Sequence, residues 1–127
     1  MPDARRRTLA LWAPVLAYMV FIFGLSSISH PPAMPGGSDK WLHSLLYSGL
    51  GALFSRALSG GWRRVALRHV ALTICFGAIY GASDEFHQHF NPPRNVEVAD
   101  VVADTIGAGA AAAALHAWGI IRGRDAL

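Results

Sequence analysis

Residues 8–38 contain no Asp, Glu, Lys or Arg. Within that stretch, residues 9–28 are long and apolar enough to cross a bilayer, which takes about 20 residues of helix. Arg5, Arg6 and Arg7 stand just before it. The competing reading is a cleaved secretory or twin-arginine signal. The apolar run is longer than a usual signal core and no A-x-A pattern follows it, so a membrane span is expected. Pro14 should bend this helix or mark its first turn.

The remaining composition agrees. Of 127 residues, 53% are hydrophobic and 15% charged, against about 25% charged in a typical soluble domain. Mean hydropathy is +0.33. These values argue against a disordered chain, and a single cysteine, Cys75, excludes a disulfide scaffold. The net charge of +3 would ordinarily raise nucleic-acid binding, but its distribution points elsewhere and no nucleic-acid partner is expected.

Three further helices follow. A Pro- and Gly-rich stretch, 29–38, precludes a regular element. Asp39 is a plausible N-cap for a second helix over 40–58, which Ser59, Gly60 and Gly61 break. A third helix runs over 65–89, and Asn91, Pro92 and Pro93 stop it. A fourth runs over 98–121, with a middle of almost pure Gly and Ala. The expected architecture is all-α: a membrane-embedded four-helix bundle forming a single domain over 1–127. A soluble bundle would need a polar face along each helix; the first helix and residues 107–117 have none.

Charge sets the orientation. With the N-terminus cytoplasmic, four spans return the C-terminus to the same side. Nine cations (Arg5, Arg6, Arg7, Arg56, Arg63, Arg64, Arg68, Arg122, Arg124) then lie inside and two, Lys40 and Arg94, outside. That is the bias of short cytoplasmic loops. Six acids lie outside (Asp39, Asp84, Glu85, Glu97, Asp100, Asp104) and two, Asp3 and Asp125, inside. The protein is therefore expected in the cell membrane, multi-pass, with both termini cytoplasmic and with lipids as partners.

Helices in lipid approach each other through small residues. Gly51-x-x-x-Ser55, Gly77-x-x-x-Gly81 and Gly107-x-x-x-Ala111 place one such pair on each of the last three helices. They suit a tight bundle, and would serve an oligomer contact equally well.

Each of these helices also has a polar stripe at its outer end. His43 and Tyr47 share a face, with Asp39 a turn earlier. Tyr80, Asp84 and His87 or Gln88 align on the third helix, and Glu97, Asp100, Asp104 and Gly107 on the fourth. Asp84 is 16 residues beyond Arg68, roughly 24 Å at about 1.5 Å per residue. Asp104 is 18 residues before Arg122, about 27 Å. In a hydrocarbon core near 30 Å both lie just beneath the outer surface. An intramembrane acid is a functional hypothesis by default. The plainer readings are an N-cap for Asp39, interface anchoring for His43 and Tyr47, and close packing for Gly107. His30, His89 and His116 read as loop or interface histidines. Four crowded acids need help to stay ionised, and Arg94, in the link between the acid-bearing helices, is placed to bridge them.

The ordered set Asp39-Lys40-x-x-His43-x-x-x-Tyr47 with Gly49-x-Gly51, Asp84-Glu85-x-x-Gln88, Arg94, and Asp100-x-x-x-Asp104-x-x-Gly107 resembles the VanZ-like family of small bacterial membrane proteins. The resemblance covers nearly the whole chain. It implies a four-helix membrane protein and, through the family's namesake, a link to low-level teicoplanin resistance; it implies no particular reaction. One departure is Asp104, where the family usually has Asn.

Two function classes lead. The first is a protein that binds or modifies an envelope component at the outer leaflet, such as a lipid-linked wall precursor or a glycopeptide. Its binding residues would be Asp39, Lys40, Tyr47, Gln88, Arg94, Asp100 and Asp104. The second is an enzyme in which Asp84, Glu85 and His43 supply acid–base catalysis on a lipid-linked or phosphate-bearing substrate. There is no G-x-S-x-G nucleophile. A metal site from Asp39, His43, Asp84, Glu85 and His87 would suit zinc or manganese, but no H-E-x-x-H spacing supports it and no metal ligand is assigned. The cofactor is unknown. A small dimeric exporter is disfavoured because its carboxylate should lie near the midplane.

Overall fold

Four helices account for the regular structure of the described residues: α1 (Ala4–Ser26), α2 (Ser38–Ser59), α3 (Leu67–Gln88) and α4 (Val98–Asp125). The computed structural model describes residues 3–26, 38–62, 64–88 and 98–125, with side chains except at 26, 38–40, 88 and 123–125. No strand occurs among the described residues, and the all-α bundle expected from the sequence is the fold found.

The bounds differ at several ends. α1 starts at Ala4, not at residue 9, because the arginines before the apolar run are good helix formers and continue it inward. α4 runs four residues past 121, through Arg122 and Arg124, for the same reason. α2 starts at Ser38, so Asp39 lies inside the first turn rather than capping it. α3 starts at Leu67, two residues late, because His69 organises its entry. The Ala66 N–H donates to His69 Nδ1 and the Ala66 carbonyl accepts from His69 N and Val70 N, a reciprocal cap.

The break after α2 is a glycine cap. Gly60 has φ +80°, a left-handed conformation that favours glycine. Gly60 N donates to the Ala57 carbonyl and Gly61 N to the Arg56 carbonyl, so two of the last four carbonyls of α2 are satisfied.

Pro14 lies inside α1 and has no N–H to give the Ala10 carbonyl four residues back. Arg56 of α2 fills that gap, its Nη1 donating to Ala10 O at 3.3 Å. Nearby, Arg7 Nη2 donates to Gly60 O at 3.0 Å. Farther along, Tyr18 Oη donates to Leu46 O and Tyr80 Oη to Met19 O, both at 2.7 Å. Four side-chain bonds thus hold α1 to its neighbours α2 and α3.

Glycines fix the spacing between helices. Gly49 and Gly51 sit on opposite sides of α2. A Cβ on Gly49 would run into the Tyr18 ring of α1, and one on Gly51 would lie 2.5 Å from the Ala108 carbonyl of α4. Gly107 of α4 lies in turn against the Ser44 backbone, and a Cβ on Gly77 of α3 would lie 2.8 Å from that of Ala108. α2 is therefore sandwiched between α1 and α4, and the glycines of the small-residue pairs are used within the chain. Ser55 is fully buried against α3, its hydroxyl 3.0 Å from that of Thr73. Thr73 gives its own proton to His69 O, so Ser55 is the donor.

An aromatic row fills the space between α1, α2 and α3. Trp12 meets Phe54 edge-on, Phe54 stacks on Phe76 at 4.1 Å, Phe76 meets Tyr80, and Tyr80 meets Tyr47. The row leads from the basic end of the bundle to the acidic end.

The surface is inverted relative to a soluble protein. Leu16, Val20, Phe21, Leu45, Ile79, Val102 and Ile106 are exposed, whereas Ser55, Thr73, Asp84, Glu85, Asp100 and Asp104 are buried. α1 (4–25) and α4 (98–122) are long and apolar enough to cross a membrane; α2 and α3, expected to do so as well, do not meet that test. Their mean hydropathy is lowered by the polar residues they turn inward, such as Ser44, Tyr47, Thr73 and Asp84.

Candidate functional site

The start of α2, the end of α3 and the start of α4 meet at one end of the bundle. The close α2–α4 approach at Gly107 and Ser44 brings the turns at this end together, and Ser44 Oγ donates to Ala103 O at 2.8 Å. One residue before Ser44, His43 Nδ1 lies 2.8 Å from Asp104 Oδ1. With Asp104 as carboxylate the N–H at Nδ1 is the donor, and Nε2 is the other nitrogen left for chemistry.

Asp104 is fully buried, and its Oδ2 has no hydrogen-bond partner among the described residues. Gly81 of α3 makes room for it: a Cβ there would lie 3.0 Å from that oxygen. Asp84, Glu85 and Asp100 are all less than 10% exposed. Asp84 and Asp100 lie within electrostatic reach of Asp104, and Asp100 and Glu85 within reach of His43.

Tyr47 closes the inner side. It is 1% exposed, and its hydroxyl lies in the field of Asp84, Asp104 and Glu85. That hydroxyl has no hydrogen-bond partner among the described residues. Tyr47 and Tyr80 thus divide the aromatic row from the carboxylates.

Of the residues singled out in the sequence, His43, Tyr47, Asp84, Glu85, Asp100 and Asp104 are brought together. Asp39, Lys40 and Gln88 lie in the helices at this end, but their side chains are outside those described, and Arg94 is outside the described residues, as are His30, His89 and Glu97. His87 turns toward α1 and stacks on Phe23 at 4.2 Å. His116 is at the opposite end, donating from Nδ1 to Val65 O at 2.6 Å. Sequence reasoning missed Ser44 and the space-making role of Gly81; the position of Gly81, three residues before Asp84 on one helical face, was the available signal.

Metal ligation is chemically open to part of the cluster. A ring nitrogen of His43 and one carboxylate oxygen each from Glu85 and Asp104 lie within 4.8 Å of one another. His43 and Glu85 were among the ligands weighed from sequence; Asp104 was not.

A family model described as VanZ/LLP1 matches residues 14–120. The chain belongs to the VanZ/LLP1 family. The match takes in nearly all of the bundle, from Pro14 of α1 to the last turns of α4, and includes every residue of the cluster. No curated protein and no solved structure matches the chain significantly. Family membership and two apolar helices long enough to cross a bilayer both support a membrane protein.

Proposed function

We propose that this protein is a multi-pass protein of the bacterial cell membrane, with both termini cytoplasmic, whose outward-facing cluster binds or modifies a component of the envelope. The observation that carries this reading is the burial of Asp84, Glu85, Asp100 and Asp104 around His43 and Tyr47. Replacing buried ionic groups by apolar ones is often neutral or stabilising, so stability alone gives little reason to keep four acids there.

Depth and charge support the direction. The nine-to-two distribution of Lys and Arg puts the acidic end outside, level with lipid head groups. Lipid-linked wall precursors and glycopeptides such as teicoplanin meet the membrane at that level, and a contribution to teicoplanin resistance follows from this reading.

A second reading is an acid–base enzyme acting on a lipid-linked or phosphate-bearing substrate. The His43–Asp104 pair favours it, because a carboxylate at Nδ1 fixes the imidazole's tautomer and leaves Nε2 for proton transfer.

The test is mass spectrometry of lipids that co-purify with the native protein and with Asp104→Asn. An envelope lipid enriched on the native protein and lost from the variant supports the reading. The same bulk-lipid profile on both overturns it.

A further inference from the structure

We propose that His43, Glu85 and Asp104 bind one divalent transition-metal ion of the zinc or manganese class, held between α2, α3 and α4. The proposal rests on the reading of this cluster as the functional site and gives it a chemical centre.

Three observations converge. The ligand atoms are within 4.8 Å of one another. Ligands about 2.0–2.2 Å from a shared ion stand roughly 3–4 Å apart, so a small adjustment brings all three onto one centre. Imidazole with two carboxylates is a donor set for zinc or manganese rather than for the all-oxygen shells of calcium and magnesium.

Burial is the second observation. Glu85 is 2% exposed and Asp104 fully buried. Asp104 Oδ2 has no hydrogen-bond partner among the described residues, and a buried carboxylate oxygen in that position is stabilised by a cation or a metal. Glycine at position 81 leaves space beside Asp104 Oδ2, where a Cβ would sit at 3.0 Å.

The third is independent of the ligands themselves. The Tyr47 hydroxyl is buried, lies in the field of Asp84, Asp104 and Glu85, and has no hydrogen-bond partner among the described residues. A group held on an ion at this cluster would give that hydroxyl a partner. Three protein ligands leave a coordination position open, as in sites where metals act on a bound molecule. A phosphate or carboxylate oxygen of an envelope component fits that position.

The experiment uses full-length protein without a His tag, purified in detergent, stripped with chelator and titrated with Zn²⁺ or Mn²⁺ alone. Bound metal is counted by elemental analysis. The native protein should take up one ion per chain. Glu85→Gln and Asp104→Asn should each weaken binding at least about tenfold, the lower bound for losing even an outer-shell partner. His116→Gln, at the far end of the bundle, should bind as the native protein does.

Absence of saturable binding to the native protein overturns the proposal, as does unchanged binding in both variants. A readout that needs no variant is Co²⁺ on the native protein: visible absorption displaced by Zn²⁺ is expected, and its absence overturns the site. An envelope lipid that co-purifies equally well after chelator treatment refutes the metal while leaving the envelope reading standing.

Discussion

His43 Nδ1 and Asp104 Oδ1 stand 2.8 Å apart, 61 residues apart in sequence, and join α2 to α4 at the acidic end of the bundle. The imidazole covers one oxygen of a fully buried carboxylate. Removing His43 leaves that carboxylate a buried charge without compensation, which costs about 3 kcal/mol. His43→Leu should therefore unfold markedly earlier in detergent. Adding Asp104→Asn to it should restore most of the loss, because the residual charge is then gone. Additive losses in the double variant would show that the pair is not coupled.

The glycine contacts give a separate prediction. A methyl group on Gly51 meets the Ala108 carbonyl at 2.5 Å, and one on Gly107 meets the Ser44 backbone. Backbone on both sides leaves nothing flexible to yield, so Gly51→Ala and Gly107→Ala should each cost about 1–3 kcal/mol. Gly24→Ala meets nothing within 4 Å and should be neutral or stabilising by up to about 1 kcal/mol. Thermal unfolding of the three variants in one detergent checks the order.

These contacts also mark what was legible in the sequence. Helix number and the breaks between helices were readable because Pro and Gly punctuate an otherwise apolar chain. The convergence of His43, Asp84 and Asp104 was readable as three stripes at one depth. Which helix faces which was not. Gly49-x-Gly51 is a motif in the sequence, but only the fold shows one glycine under Tyr18 and the other against Ala108. The inward turn of the polar stripes was readable too, since an acid within the membrane is expected to face the bundle interior rather than lipid, and Asp84, Glu85 and Asp104 are buried. His87 was grouped with Asp84 by spacing, yet lies against Phe23, because residues three apart diverge by about 60° around a helix.

Arg56 and Pro14 should be energetically coupled. Arg56 donates to the Ala10 carbonyl that Pro14 leaves without its usual helical partner. Arg56→Met should cost about 1 kcal/mol in the native background. It should cost less in a Pro14→Ala background, where the residue 14 N–H takes that carbonyl. Equal costs in both backgrounds would contradict the assignment.

The orientation is checked by cysteine accessibility. In a Cys75→Ser background, a single cysteine at position 36 should label in intact cells with an impermeant maleimide, and one at Gly61 only after lysis. The reverse pattern would place the acidic end inside.

The most direct measurement of the central claim, that the buried cluster is a binding site rather than a prop for the fold, is ligand-linked stability. Native protein and Asp104→Asn are unfolded thermally in one detergent, with and without total envelope lipid extract. A ligand at a hundred times its Kd stabilises by about 2.7 kcal/mol. The native protein should gain stability with extract, while Asp104→Asn should start at the same midpoint or above it and gain nothing. An equal gain in both proteins, or a variant that is less stable before any extract is added, would contradict the account.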